Sequence, residues 1–174
     1  KDFEWIRAHN ETGAEVENLS DEIVLVALQG QNAPKILQTL TNVDLSTIEY
    51  YWFMEGEVAG IPTIISRTGY TGEIGFELYV DAVHGEDLWA AVYEATTTAG
   101  GEPVGLGARD TLRLEMKYCL YGNDIDETRT PLEAGLGWTV SFDKGDFIGR
   151  DALMKQHDEG IKRRLVGFQM SDRG

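Results

Sequence analysis

The stretch over residues 73–80 constrains the fold more than any other. Phe76, Leu78 and Val80 alternate with Glu77 and Tyr79, the period of a strand that buries one face and turns the other outward. Such a strand needs hydrogen-bonding neighbours, and three apolar runs can supply them. Residues 23–28 form a continuous β-branched and aliphatic run, closed by Gly30. Residues 47–54 and 61–67 are rich in Ile, Tyr, Phe and Thr, and Gly56 and Gly60 bracket the link between them. That spacing predicts a hairpin with a somewhat long turn. A short strand over 138–142 and a last one over 164–170 complete the expected set.

Helical periodicity falls between and after these runs. Phe3 and Ile6 give a short amphipathic helix that Gly13 can stop. Residues 33–40 form a second, with Pro34 tolerated in its first turn. Leu88, Val92, Ala95 and Ala99 repeat on one stripe before Gly100-Gly101. Residues 108–117 and 148–156 are further helices. Strands and helices do not alternate singly, as a doubly wound sheet requires. The expected class is therefore α+β, with a mainly antiparallel sheet and packed helices. No repeat or linker interrupts residues 1–174, which read as a single region.

The charge narrows the partners. Thirty acidic against fifteen basic side chains give a net charge of −15 over 174 residues. Nucleic acid and anionic membrane both require clustered Lys and Arg, and are excluded as main partners. An anionic ligand needs a locally placed cation inside this repulsive field. No run approaches the roughly 18 apolar residues of a membrane span, and no signal peptide is visible. The single cysteine, Cys119, fits a reducing compartment. It reads as a small buried residue. Lys1 in the first position and the apolar run at 165–170 read as the ends of a piece cut from a longer chain.

Two constellations can carry chemistry. In Arg67-Thr68-Gly69-Tyr70-Thr71-Gly72-Glu73 two glycines flank a tyrosine, so the backbone can approach a flat ligand and Tyr70 can offer a ring face and a hydroxyl. Glu77 follows on the strand face opposite Phe76. A carboxylate there either belongs to an ordinary solvated face or accepts two parallel hydrogen bonds from a heterocycle with adjacent N–H groups, as in a 2-amino-4-oxopteridine. In Gly105-Leu106-Gly107-Ala108-Arg109-Asp110-Thr111-Leu112-Arg113, Arg109 and Arg113 lie one turn apart. They either offer a fork for a carboxylate or pair within the helix, for example Arg113 with Asp110. Asp124, Asp126 and Glu127 lack the spacing of a calcium loop and read as a polar turn. His9, His84 and His157 show no metal-ligand spacing.

Taken in order, the motifs resemble one family. They are Ala27-Leu28-Gln29-Gly30, the loop from Arg67 to Glu73 with Gly75-Phe76-Glu77, the stretch from Gly105 to Glu115, then Cys119-Leu120-Tyr121-Gly122-Asn123-Asp124-Ile125-Asp126, Thr130-Pro131-Leu132-Glu133-Ala134-Gly135-Leu136-Gly137-Trp138 and Phe147-Ile148-Gly149-Arg150-Asp151-Ala152-Leu153. This series resembles the T-protein of the glycine cleavage system, a tetrahydrofolate-dependent aminomethyltransferase. The resemblance implies that Glu77 binds the pterin edge of tetrahydrofolate, that Arg109 holds its anionic side, and that Tyr70 lines the same pocket. It implies a lipoylated H-protein as partner, and bacterial cytoplasm or mitochondrial matrix as compartment. It further implies that the family's key aspartate lies upstream of Lys1 and its C-terminal β-barrel beyond Gly174. No catalytic acid or base is then expected within residues 1–174, and the isolated piece is expected not to turn over. Folate-binding modules of dimethylglycine or sarcosine dehydrogenases are related readings, as is a non-catalytic folate-binding module. The folate-dependent iron–sulfur assembly factor carries a Lys-Gly-Cys-Tyr-type motif. Here Asp146 of Lys144-Gly145-Asp146-Phe147 stands in place of that cysteine.

Overall fold

A computed structural model describes residues 1–171. The chain divides into two compact units, Lys1–Leu112 and Arg113–Gly174. The first contains helix α1 (Asp2–Ala8), strand β1 (Ile23–Gln29), helix α2 (Ala33–Gln38), strands β2 (Phe53–Val58), β3 (Ile61–Ser66) and β4 (Gly75–Asp81), and helix α3 (Gly85–Thr98). Helix α4 (Leu106–Glu115) carries the chain across the division, and α5 (Arg150–Glu159) lies in the second unit.

The strands form one antiparallel sheet in the order β1-β4-β3-β2. This is the expected α+β arrangement, with β4 in a central position. β4 occupies that place because its alternation lets one face go fully inward: Phe76, Leu78 and Val80 are almost completely buried. They pack with Val26 and Leu28 of β1, Val58 of β2 and Ile65 of β3. Ile36 and Leu37 of α2 and Leu88 and Val92 of α3 close the same core. At about 25 cal/mol per Å² of buried apolar surface, this face dominates the unit's stability.

The opposite face of the sheet is partly exposed and only partly polar. Ile23 and Leu25 of β1, Phe53 of β2 and Ile64 of β3 are exposed there. Glu77 and Tyr79 of β4 sit among them, with Glu77 opposite Ala27 and Ser66, and Tyr79 opposite Leu25 and Ile64.

The β2–β3 hairpin differs from expectation. Val58 pairs with Ile61, so the turn is only Ala59-Gly60. Both residues have positive φ, 52° and 77°, which is the geometry that matches the twist of a two-residue hairpin. Gly56 is not part of the turn. It lies inside β2 opposite Thr63, and a Cβ on it would overlap the side chain of Val43. Its smallness serves packing. β2 also begins later than expected, at Phe53. Leu45–Thr47 is a single 3-10 turn whose first residue is preceded by Asp44, which accepts the Ser46 N–H at 3.0 Å. Tyr51 then adopts a left-handed backbone, φ 68°, while its N–H donates to the carbonyl of Arg67 at 3.1 Å.

In the second unit, two expected strands are absent. Residues 138–142 contain parts of the 3-10 turns Gly137–Thr139 and Phe142–Lys144. Residues 164–170 carry no ladder, although the Leu165 N–H donates to the carbonyl of Glu133 at 2.8 Å. Apolar content alone does not make a strand without a neighbour to pair with. Polar anchors order this unit instead. Buried Glu133 accepts from Arg163 Nε at 2.6 Å and Nη2 at 3.2 Å, and from the Thr130 N–H at 3.0 Å. Arg163 Nη2 also donates to the carbonyl of Thr128 at 2.6 Å. The Arg163 and Thr130 hydrogen bonds hold the Glu133 carboxyl below its ordinary range. Arg113, 3% exposed, pairs with Asp124 and donates to the carbonyl of Tyr118 at 3.1 Å. Among the described residues no helix is long and apolar enough to cross a membrane.

Candidate functional site

The candidate site is built on the open face and upper end of the sheet, where β3 leads into the glycine-rich loop and the loop returns as β4. One backbone hydrogen bond and one side chain set the loop's start. The Arg67 N–H donates to the carbonyl of Trp52 at 2.9 Å. Arg67 Nη1 donates to the carbonyl of Ile48 at 2.8 Å. At the far end Gly72 takes φ 79°, a conformation glycine adopts without steric cost.

Glu77 is half-buried and does not stand alone. The Thr68 hydroxyl donates to Glu77 Oε2, and the Ser66 hydroxyl lies 3.0 Å from the same Thr68 oxygen. A hydroxyl has one proton. The carboxylate takes that of Thr68, and Ser66 then donates to Thr68. A carboxylate carries about four acceptor positions, so Oε1 remains available after Thr68 has engaged Oε2. Tyr79, two residues on and on the same face, has its phenol pushed above the ordinary value, first by burial and then by the Glu77 charge. Tyr79 is thus a neutral hydroxyl at physiological pH.

Tyr70 and Arg109 are brought together. The Arg109 guanidinium sits over the Tyr70 ring, 4.8 Å from its centroid, a cation–π arrangement. No carboxylate among the described residues forms a salt bridge with Arg109. Arg113, one turn further along α4, behaves differently. It pairs with Asp124. Asp124 in turn accepts the Leu120 N–H at 3.0 Å, so the polar stretch after α4 folds around a buried ion pair. Cys119 lies half-buried in that stretch. Its thiol is pushed up by burial and by Asp124, against the opposing pull of Arg113. That is the wrong direction for a nucleophile.

The space left by the missing Cβ at Gly69 is occupied from within: a Cβ on Gly69, or on Gly75 at the start of β4, would overlap the Gln29 side chain. Gln29 Nε2 donates to the carbonyls of Thr68 at 3.1 Å and Phe76 at 3.3 Å, and Oε1 accepts from Thr71 Oγ1 at 3.2 Å. Neither Gln29 nor Thr68 stands out in the sequence. The only signal for Gln29 was its place in the ordered Ala27-Leu28-Gln29-Gly30 motif. Two surface grooves of about 590 and 680 Å³ flank α2. Neither is lined by Glu77, Tyr70 or Arg109.

The fold is thus an antiparallel sheet backed by helices, with a half-buried carboxylate on β4 and a cation stacked on a loop tyrosine. The comparisons with known proteins narrow this class. Residues 1–144 match the family model described as the GCVT N-terminal domain, and the chain belongs to that family. It is 53% identical over 174 residues to the aminomethyltransferase of Halothermothrix orenii, covering 100% of this chain and 49% of the relative. It is 55% identical over 176 residues to that of Bacteroides thetaiotaomicron, again covering 100% and 49%. Among solved structures, the glycine cleavage system aminomethyltransferase T from Bartonella henselae matches with a TM-score of 0.77 and 32% identity, over 91% of this chain and 43% of that one. The chain thus spans about half the length of the curated relatives it matches.

Proposed function

We propose that this chain is the folate-binding part of a glycine cleavage system aminomethyltransferase, with Glu77, Tyr70 and Arg109 as its folate-contacting residues. The parent reaction transfers the methylene of an aminomethyl group from the lipoyl arm of the H-protein, releasing ammonia. Tetrahydrofolate, when bound, supplies the nitrogens that take up this carbon.

The observation that carries the reading is the state of Glu77. Thr68 engages one carboxylate oxygen and leaves acceptor positions on the other, on an open sheet face beside apolar surface. Such a carboxylate accepts the paired N–H groups of a pterin edge while Phe53, Leu25 and Ile64 offer apolar contact nearby. Arg109, stacked on Tyr70 with no carboxylate partner among the described residues, provides the local positive charge that an anionic glutamyl tail needs in a chain of net charge −15. Residues from one loop, one strand and one helix start would thereby orient the ligand, and orientation is the largest service such a site performs. No acid or base for the chemical step is assigned among these residues. The lipoylated H-protein as partner and bacterial cytoplasm or mitochondrial matrix as compartment belong to the same proposal. The bacterial relatives named above favour the first compartment.

Calorimetric titration with tetrahydrofolate under reducing conditions tests the reading. Glu77→Gln, which keeps shape but loses charge, should weaken binding by about ten- to a hundredfold, the value of a hydrogen bond to a charged group. Arg109→Ala should weaken tetrahydrofolate more than an analogue lacking the glutamyl tail. Wild-type binding with neither substitution having an effect would refute the site.

A further inference from the structure

We propose that Gln29 is a positioning residue for the Glu77 carboxylate, acting through Thr68. The proposal rests on the folate reading for its consequence, but its geometry is independent of it. Gln29 ends β1 opposite Gly75, on the same sheet face as Glu77. Its amide satisfies three groups at once. Two N–H groups reach the carbonyls of Thr68 and Phe76, and its oxygen accepts from Thr71. That pattern leaves one sensible orientation for the amide, since the reverse would set oxygen against two carbonyls. The Gln29 side chain therefore ties together the start of the loop, its middle and the first residues of β4, partners 39 to 47 positions away in sequence.

The consequence falls on Thr68. Gln29 anchors its carbonyl, and its hydroxyl holds Glu77 Oε2. Fixing the Thr68 backbone fixes the direction from which the hydroxyl approaches the carboxylate, and hence which edge of Glu77 is left for a ligand. The two glycines belong to the same device. Gly69 and Gly75 have no positive φ to explain them; each is small because the Gln29 amide passes over it. A Cβ at Gly69 would displace the amide and break the anchor.

The test uses the 174-residue chain, with far-UV circular dichroism to confirm folding of each variant. Gln29→Met keeps length and removes the amide. It should weaken tetrahydrofolate binding by about tenfold and shift the carbon-13 resonance of the Glu77 carboxyl. Thr68→Val should reproduce both effects, and Thr68→Ser, which restores the hydroxyl, should reverse them. Gly69→Ala should be as harmful as Gln29→Met in the wild-type background and nearly harmless in a Gln29→Ala background, because no side chain then reaches the new methyl. A side chain that merely packs would not produce this non-additivity. Failure of the wild-type chain to bind tetrahydrofolate would overturn the folate reading alone, and the Glu77 resonance would still decide the role of Gln29. A Glu77 signal unmoved by Gln29→Met, or Gln29→Met binding like wild type while Glu77→Gln does not, would overturn the positioning role.

Discussion

Removing either member of the Arg113–Asp124 pair should destabilise the chain, and the two removals should cost unequal amounts. Arg113 has a side-chain exposure of 3%, whereas Asp124 retains 25%. Deleting Asp124 takes a carboxylate from a guanidinium that water hardly reaches, and breaking a buried pair this way costs about 3–5 kcal/mol. Asp124→Ala should fall near the upper end, about 4–5 kcal/mol, because the Leu120 N–H also loses its acceptor. Deleting Arg113 leaves a carboxylate that water still partly hydrates and that keeps the Leu120 N–H at 3.0 Å. The Tyr118 carbonyl loses its donor, a cost of about 1 kcal/mol. Arg113→Met should therefore cost about 2–3 kcal/mol. The double variant removes both charges, and should be less destabilised than Asp124→Ala alone. Urea denaturation followed by far-UV circular dichroism reads these values. With a slope of about 2 kcal/mol per M, Asp124→Ala lowers the midpoint by about 2 M and Arg113→Met by about half that. Equal costs for the two single variants, or a double variant equal to their sum, would refute the assignment of the penalty to a buried charge that has lost its carboxylate.

Two further outcomes follow from other parts of the structure. Gly56→Ala should cost about 1–3 kcal/mol, because the new methyl overlaps Val43 at the edge of the core and forces it aside; paired truncation, Gly56→Ala with Val43→Ala, should recover part of that loss in the same denaturation assay. The Glu133 carboxyl is held below its ordinary value of 4.5 by Arg163 and by the Thr130 N–H, so its contribution to stability is complete above that ordinary value and is lost as pH falls through the lowered native one. Stability measured from pH 7 down to about pH 2 should thus decline less steeply in Glu133→Gln than in wild type, and parallel curves would contradict the role given to Arg163.

The strand with the strongest alternation was legible without coordinates, since Phe76, Leu78 and Val80 declare their own buried face. The helix carrying Leu88 and Val92 was legible for the same reason. Less regular elements were not. Residues 47–52 have the composition of a strand, but Arg67 on a neighbouring segment claims the Tyr51 N–H and offers its own N–H to Trp52, so the ladder starts only at Phe53. Gly56 looked like punctuation and is a packing contact. Residues 165–170 are mostly apolar, yet no ladder forms along them.

The division within the site has the same physical origin. Local order in the sequence determined the loop from Arg67 to Glu73, the outward face of β4 and the resemblance to a folate-dependent family, because each depends on neighbours a few residues apart. It also placed Arg109 and Arg113 on one helix as equivalent candidates. Only the tertiary structure separated them, stacking one on Tyr70 and burying the other against Asp124. Only it showed the Gln29 amide filling the room above Gly69 and Gly75, and Thr68 holding Glu77. Hydrogen bonds and steric exclusion act over a few ångströms of space, and chain folding decides which distant residues come within that range.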